Sequence, residues 1–398
     1  MSISKKIFMF LFFFMLAVPV SCEQYLAIGR TVTKMAGETV GQQGSIGIYE
    51  VGRWVQMQSL ELLGQAQKKP EDVQKPTDLV FSPGGKYLAC IDDKNKATIY
   101  RTDRWEEDQW EVKKTFKDVE SIAFSADDKF FAYSKKKDKG AGKILLYDTQ
   151  SWQERTAADV INGYCKTIGF TKSGYLVGLT TESQIIFWSF DSRTNSFKVF
   201  DNFYATNKKI ISMDTSAKGD KVIALMVKNE DVYTVRALNV KKGLKEISRR
   251  GVNTSIKGHP IALSPSGKYA AYSEGIEEFA VRIFLSRDIK SSQSFDLQTI
   301  EKPKQLAFSF DDKYLAVLHD KGIEMYEKKM FSGWEAKGSV LGKIEFTPTA
   351  ISFSPKIKLP KKKKGKKKRS FGDISSSLGK MFEGLEDLSP HEKSPHEN

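Results

Sequence analysis

Neutral-pH metal and acid–base sites lean on histidine, and this chain has four in 398 residues. His391 and His396 lie near the C-terminus, His259 precedes an apolar segment, and His319 ends a strand-like run. Their spacing matches no zinc motif, and no Gly-x-Ser-x-Gly elbow, Walker loop or His-Glu-x-x-His is present. The acid pairs Asp92-Asp93, Asp127-Asp128 and Asp311-Asp312 are candidate dyads by adjacency. The last two, however, fall in short polar turns between apolar runs, where aspartate caps turn backbone. Cys90 and Cys165 sit inside apolar strand-like segments and read as small buried hydrophobes rather than a disulfide or redox pair. No cofactor is expected.

The two ends carry different chemistry. Residues 1–22 begin with Lys5 and Lys6, continue through the apolar stretch 7–20 and reach Ser21, the layout of an export signal. The stretch is shorter than the roughly 20 apolar residues that span a bilayer, so cleavage is expected, with an uncleaved signal anchor as the alternative. Cys22 follows directly, and the segment 16–22 resembles a bacterial lipoprotein signal, which implies diacylglycerol on the Cys22 sulfur; ordinary cleavage near Ser21 is the alternative. Asn253-Thr254-Ser255 is a glycosylation sequon, with Asn253 as acceptor in a host that glycosylates exported proteins.

At the other end, Lys361, Lys362, Lys363, Lys364, Lys366, Lys367, Lys368 and Arg369 supply eight positive charges, more than half of the formal +14. Charges this dense repel one another and attract anionic lipid, another polyanion or nucleic acid. With an export signal present, an anionic membrane or cell-surface polymer suits the run better than nucleic acid, and a merely solubilising tail is the alternative. Beyond Ser370, the residues Phe371, Ile374, Leu378, Met381, Phe382, Leu385 and Leu388 recur at three and four, which predicts one apolar face of a helix. A basic run beside such a helix suits a membrane surface, but docking of the helix face on the main body or a partner is the leading reading, with a disordered segment the third.

The body must position whatever these groups do, and its repeat declares the architecture. The segment 79–89, Leu-Val-Phe-Ser-Pro-Gly-Gly-Lys-Tyr-Leu-Ala, returns as 122–132, 261–271 and 306–316, with weaker copies at 168–177 and 213–224. Each copy predicts two strands joined by a tight polar turn, followed by a third strand such as 98–100, 144–147 or 185–188. The anchoring Ser or Thr positions 82, 125, 171, 216, 264 and 309 recur at the length of a four-stranded propeller blade. The stretch 349–355 is a first strand without a second, and 25–29 a second without a first. Joined, they complete a seventh blade, so Ile351–Phe353 is expected beside Tyr25–Ile28.

These repeats resemble the WD40 and WD40-like propellers over residues 25–355. Departures are visible: the Trp-Asp dipeptide is absent, with Tyr147-Asp148 its nearest substitute, and Gly258-His259 is the single Gly-His pair. Most of the family's buried polar network is therefore expected to be missing, leaving apolar packing to hold the blades. The expected layout is an export signal at 1–22, an all-β seven-bladed propeller closed by its terminal strands at 23–358, and a basic, amphipathic tail at 359–398. Composition, 40% hydrophobic and 28% charged, suits a folded body. The resemblance implies a monomeric, non-enzymatic platform for a protein or peptide partner, exported to the cell envelope, the outside or a secretory lumen. The stretches 31–43 and 63–75 and the loop 135–142 are candidate rim loops. Two alternatives stand: a lactonase-like propeller hydrolase, which needs channel acids and a metal, and polyanion or nucleic-acid binding through the tail.

Overall fold

The computed structural model describes residues 22–358 apart from breaks at 37–38, 52–55, 62–73, 104–109, 137–141, 161–162, 205–207, 229–231, 242–244, 254–259, 276–277, 288–293, 300, 330–332 and 340–345. The described chain is all-β, with seven four-stranded sheets and one two-stranded sheet. The first six blades begin at Pro76, Val119, Cys165, Lys209, Ile261 and Gln305. Second strands are buried on both faces, as in Tyr87–Asp92 and Leu176–Thr180, because each blade is sandwiched between two others. Fourth strands such as Val112–Phe116 are mostly exposed and carry the polar residues. The apolar core is divided into seven clusters, each shared by adjacent blades.

The ring closes as expected. The strand Phe346–Phe353 pairs with Tyr25–Ala36 in antiparallel register, Ile351 opposite Ile28 and Phe353 opposite Leu26. Alternation then divides the closing strand: Tyr25 and Ala27 pack toward the first blade, and Leu26 and Ile28 toward the sixth. A short ladder, Cys22 with Lys358 and Glu23 with Ile357, extends the closure.

One local device is repeated around the ring. The anchor hydroxyl of Ser82 accepts the amide of Tyr87 (3.1 Å), that of Ser264 the amide of Tyr269 (3.0 Å) and that of Ser309 the amide of Tyr314 (2.8 Å). Three residues past the anchor the backbone turns left-handed, at Gly85, Asp128, Gly174, Gly267 and Asp312. Glycine pays no Cβ penalty there and aspartate tolerates the conformation, which is why Gly-Lys and Asp-Lys turns interchange. The seam rebuilds the same bonds across a chain break: Tyr25 donates to the Ser354 hydroxyl (2.8 Å) while the Ser354 amide donates to the Tyr25 carbonyl (2.7 Å).

Two expectations need correction. Packing is not the sole replacement for the missing polar network. Buried Thr102, Thr149 and Ser286, at the ends of third strands, donate from their hydroxyls to the turn carbonyls of Gly85, Asp128 and Gly267. Likewise, 31–43 is not a loop, since Tyr25–Ala36 and Thr39–Glu50 run on as one long hairpin. Asp148 plays no buried Trp-Asp role. It caps the turn to the fourth strand, and the Arg155 guanidinium (2.8 Å), with the turn amides, holds its carboxyl down at about 2.

Candidate functional site

The seven first strands line a central cavity of about 490 Å³. Their inward polar residues mostly sew one blade to the next. The Ser121 hydroxyl accepts the Ile168 amide (3.0 Å), and that of Ser352 accepts the Phe81 amide (3.2 Å). The Gln305 side chain both accepts from the Ile351 amide (2.9 Å) and donates to its carbonyl (3.2 Å). The Asp214 carboxylate accepts the amides of Leu263 and Thr215, both at 2.7 Å.

Asp78 differs from these. Its carboxylate accepts the adjacent Leu79 amide (2.9 Å) and bridges to no other blade among the described residues. Burial pushes both channel acids up to about 6, against the help of their amide donors, and Asp214 is raised further by the Asp78 charge. Asp78 thus titrates just below neutral pH in a concave, part-polar channel. Sequence reading missed both acids. They stand at different offsets from their anchors, four residues before Ser82 and two before Ser216, so the repeat does not line them up.

A second surface feature belongs to the third blade. Its outermost strand, Ser196–Tyr204, leaves Val199, Phe200 and Tyr204 exposed (60%, 46% and 62%) along an edge with no further strand beside it. Phe200 is the extra residue of a bulge between the Phe187–Asp201 and Trp188–Val199 pairs, and its ring packs at 4.8 Å, tilted by 39°, against Tyr175.

The other sequence candidates separate. Asp127 and Asp311 accept their own anchor hydroxyls, Ser125 (2.7 Å) and Ser309 (2.8 Å), whereas Asp128 and Asp312 reach the preceding blade. Asp92 accepts the amides of Lys94 (3.0 Å) and Lys96 (2.9 Å) in another turn. His319 is buried, its Nδ1 accepting the Lys321 amide (3.2 Å), and burial lowers its pKa. Cys90 and Cys165 are buried free thiols, both raised by burial, Cys165 to about 12. Among the described residues, no three His, Cys, Asp or Glu side chains come together as a metal site. Cys22 lies on the closing ladder and Asn253 ends the fourth strand of the fourth blade. His259, the segments 1–21 and 63–73, the basic run 361–369 and the helix face from Phe371 to Leu385 lie outside the described residues.

No protein-family model matches the chain, and no curated protein matches it by sequence. Solved structures do. A functionally unknown protein from Desulfotomaculum acetoxidans shares 11% identity with a TM-score of 0.60, the match covering 84% of this chain and 99% of that one. A candidate 6-phosphogluconolactonase from Bacteroides fragilis shares 17% with a TM-score of 0.55, over 84% and 99%. The WD40 repeats of RRP9 share 12% with a TM-score of 0.51, over 70% and 83%. At these identities the likeness is one of fold, and the fold is a WD40-like seven-bladed propeller.

Proposed function

We propose that this chain is an exported, non-enzymatic propeller that holds a protein partner. The observation that carries the reading is the edge of the third blade. Exposed apolar side chains on an unpaired strand are costly to leave in water and are a template for another chain, by strand addition or by side-chain docking. Export rests on the layout of residues 1–22, and the tail supplies a second attachment.

The test compares the mature wild-type chain with Val199→Asp/Phe200→Ser, using crosslinking in the native host. One stoichiometric protein captured by wild type and lost from the variant is the expected result. Equal capture by both would overturn the reading. Sedimentation of the purified chain distinguishes a foreign partner from a second copy, and a monomer is expected.

Asp78 favours a second reading, a propeller hydrolase. A channel carboxyl with a pKa near 6 has the character of a general acid or base. If the chain opens lactones, with or without added divalent metal, and Asp78→Asn abolishes the rate, the enzyme reading replaces the platform.

A further inference from the structure

The first-to-second-strand turns all lie on one face of the ring, because every blade runs in the same sense. Hydrogen bonds between neighbouring turns make this concrete. Asp128 accepts the Gly84 amide (2.8 Å), the Lys172 amide donates to the Gly219 carbonyl (2.9 Å), and the Lys218 amide to the Pro265 carbonyl (2.7 Å). Each of the seven turns carries one exposed lysine; those of the first, third, fifth and closing blades are Lys86, Lys172, Lys268 and Lys356. Lys86 and Lys268 lie over the rings of Tyr87 and Tyr269 (both 5.3 Å), and in the remaining three turns Lys129 pairs with Asp127 (3.3 Å), Lys313 with Glu327 (3.1 Å), and Lys218 donates to the Phe310 carbonyl (2.9 Å).

The acids of the same turns are bonded within the face. Asp127 and Asp311 accept their anchor hydroxyls, Asp128 and Asp312 the serines of the preceding turn, and Asp220 the Ser173 amide (2.8 Å). The turn ring therefore presents seven exposed ammonium groups against five carboxylates, of which Asp127 and Asp311 are exposed while Asp128, Asp220 and Asp312 are half-buried against neighbouring turns. The opposite face mixes signs, with Asp93, Glu182, Glu278 and Asp320 among its exposed or half-exposed residues.

Both ends of the described propeller lie at the turn face. Ser354-Pro355-Lys356 is the seventh turn, and Cys22 is laddered to Lys358, three residues before the basic run starts at Lys361. A lipid on Cys22 would thus attach beside the circle of turn lysines.

We infer that the turn face is the surface by which the propeller lies on an anionic lipid membrane. Each lysine close to such a surface strengthens binding about fivefold, and stable anchoring takes more than one signal. The inference uses the reading of the chain as exported only to choose lipid over nucleic acid, and it is independent of the third-blade edge.

The test is cosedimentation of the full mature chain, carrying Cys22→Ser to remove any lipid, with vesicles of phosphatidylglycerol and phosphatidylcholine, and with phosphatidylcholine alone. Lys86→Gln, Lys172→Gln, Lys268→Gln and Lys356→Gln together are expected to weaken partition on the order of a hundredfold or more. Lys94→Gln, Lys117→Gln and Lys302→Gln, on the opposite face, should change it less than fivefold. All seven are surface lysines, and far-ultraviolet circular dichroism checks folding. Equal losses in the two sets, no loss in the turn set, or binding that depends only on residues 361–369 would overturn the inference. So would tighter binding to duplex RNA than to vesicles through the same four lysines. Crosslinking at Val199 and Phe200, run on the same variants, separates failure of this inference from failure of the platform reading.

Discussion

The turn aspartates and the channel's Asp78 use the carboxylate in opposite ways. In the turns, Asp128 stands in the left-handed position that Gly85 and Gly267 fill elsewhere, and its carboxylate receives the Gly84 amide and the Ser82 hydroxyl of the preceding blade. Asp312 does the same for the Ser266 hydroxyl. In the channel, Asp78 has a proton that is easy to exchange and one donor, its own neighbour's amide. An acid that is satisfied by backbone holds the ring together; one that is not weakens the empty ring and is available to a ligand.

The largest effect should come where a turn bond has no covalent turn behind it. Ser354→Ala leaves the buried Tyr25 amide without its hydroxyl acceptor, with an expected loss of about 2–3 kcal/mol. Ser309→Ala, which removes the same acceptor inside a continuous turn, should cost about half as much by urea denaturation. Equal costs would show that the seam is no more vulnerable than any other blade.

Asp128→Gly tests the turn side directly, since glycine keeps the left-handed backbone while removing the carboxylate. The expected loss is about 2 kcal/mol, from the Gly84 amide and Ser82 hydroxyl left without an acceptor. A neutral result would mean that neighbouring blades do not depend on this latch.

Asp78→Asn should have the opposite sign. Its folded pKa of about 6 lies above the ordinary 3.8, so the native state holds the proton more tightly than the unfolded chain. Stability therefore falls as pH rises through that interval, and the variant should be about 1–2 kcal/mol more stable than wild type above pH ~6 and equal to it below ~4. Denaturation midpoints across that range check the sign. A variant that is less stable at neutral pH would place Asp78 among the structural acids.

The smallest effect belongs to Lys129→Gln. Its partner Asp127 and the lysine are both solvent-exposed, so the change should stay within about 0.5 kcal/mol.

Much of this architecture was legible because the anchor serine recurs with the blade, and Ser354 continues the series that begins at Ser82. Apolar alternation in residues 25–29 and 349–355 was enough to place the seam. Less legible was the hairpin of Tyr25–Ala36 and Thr39–Glu50, because the sequence of its outer half is mostly polar and shows no clear period of two. The latch from Asp128 to Ser82 joins residues 46 apart, and the hydroxyls of Thr102, Thr149 and Ser286 look unremarkable until the third strand returns beside the turn.

By itself the sequence determined the number of blades, their strand order, the closing pair and the lysine in each turn, because these follow from local period and turn chemistry repeated along the chain. The tertiary structure alone decided which acids are engaged and which is left over, which strand edge is bare, and that the turn lysines and both ends of the described propeller share one face. Those outcomes depend on neighbours brought together by ring closure, and hydrogen-bond satisfaction and desolvation are set by what surrounds a group in space.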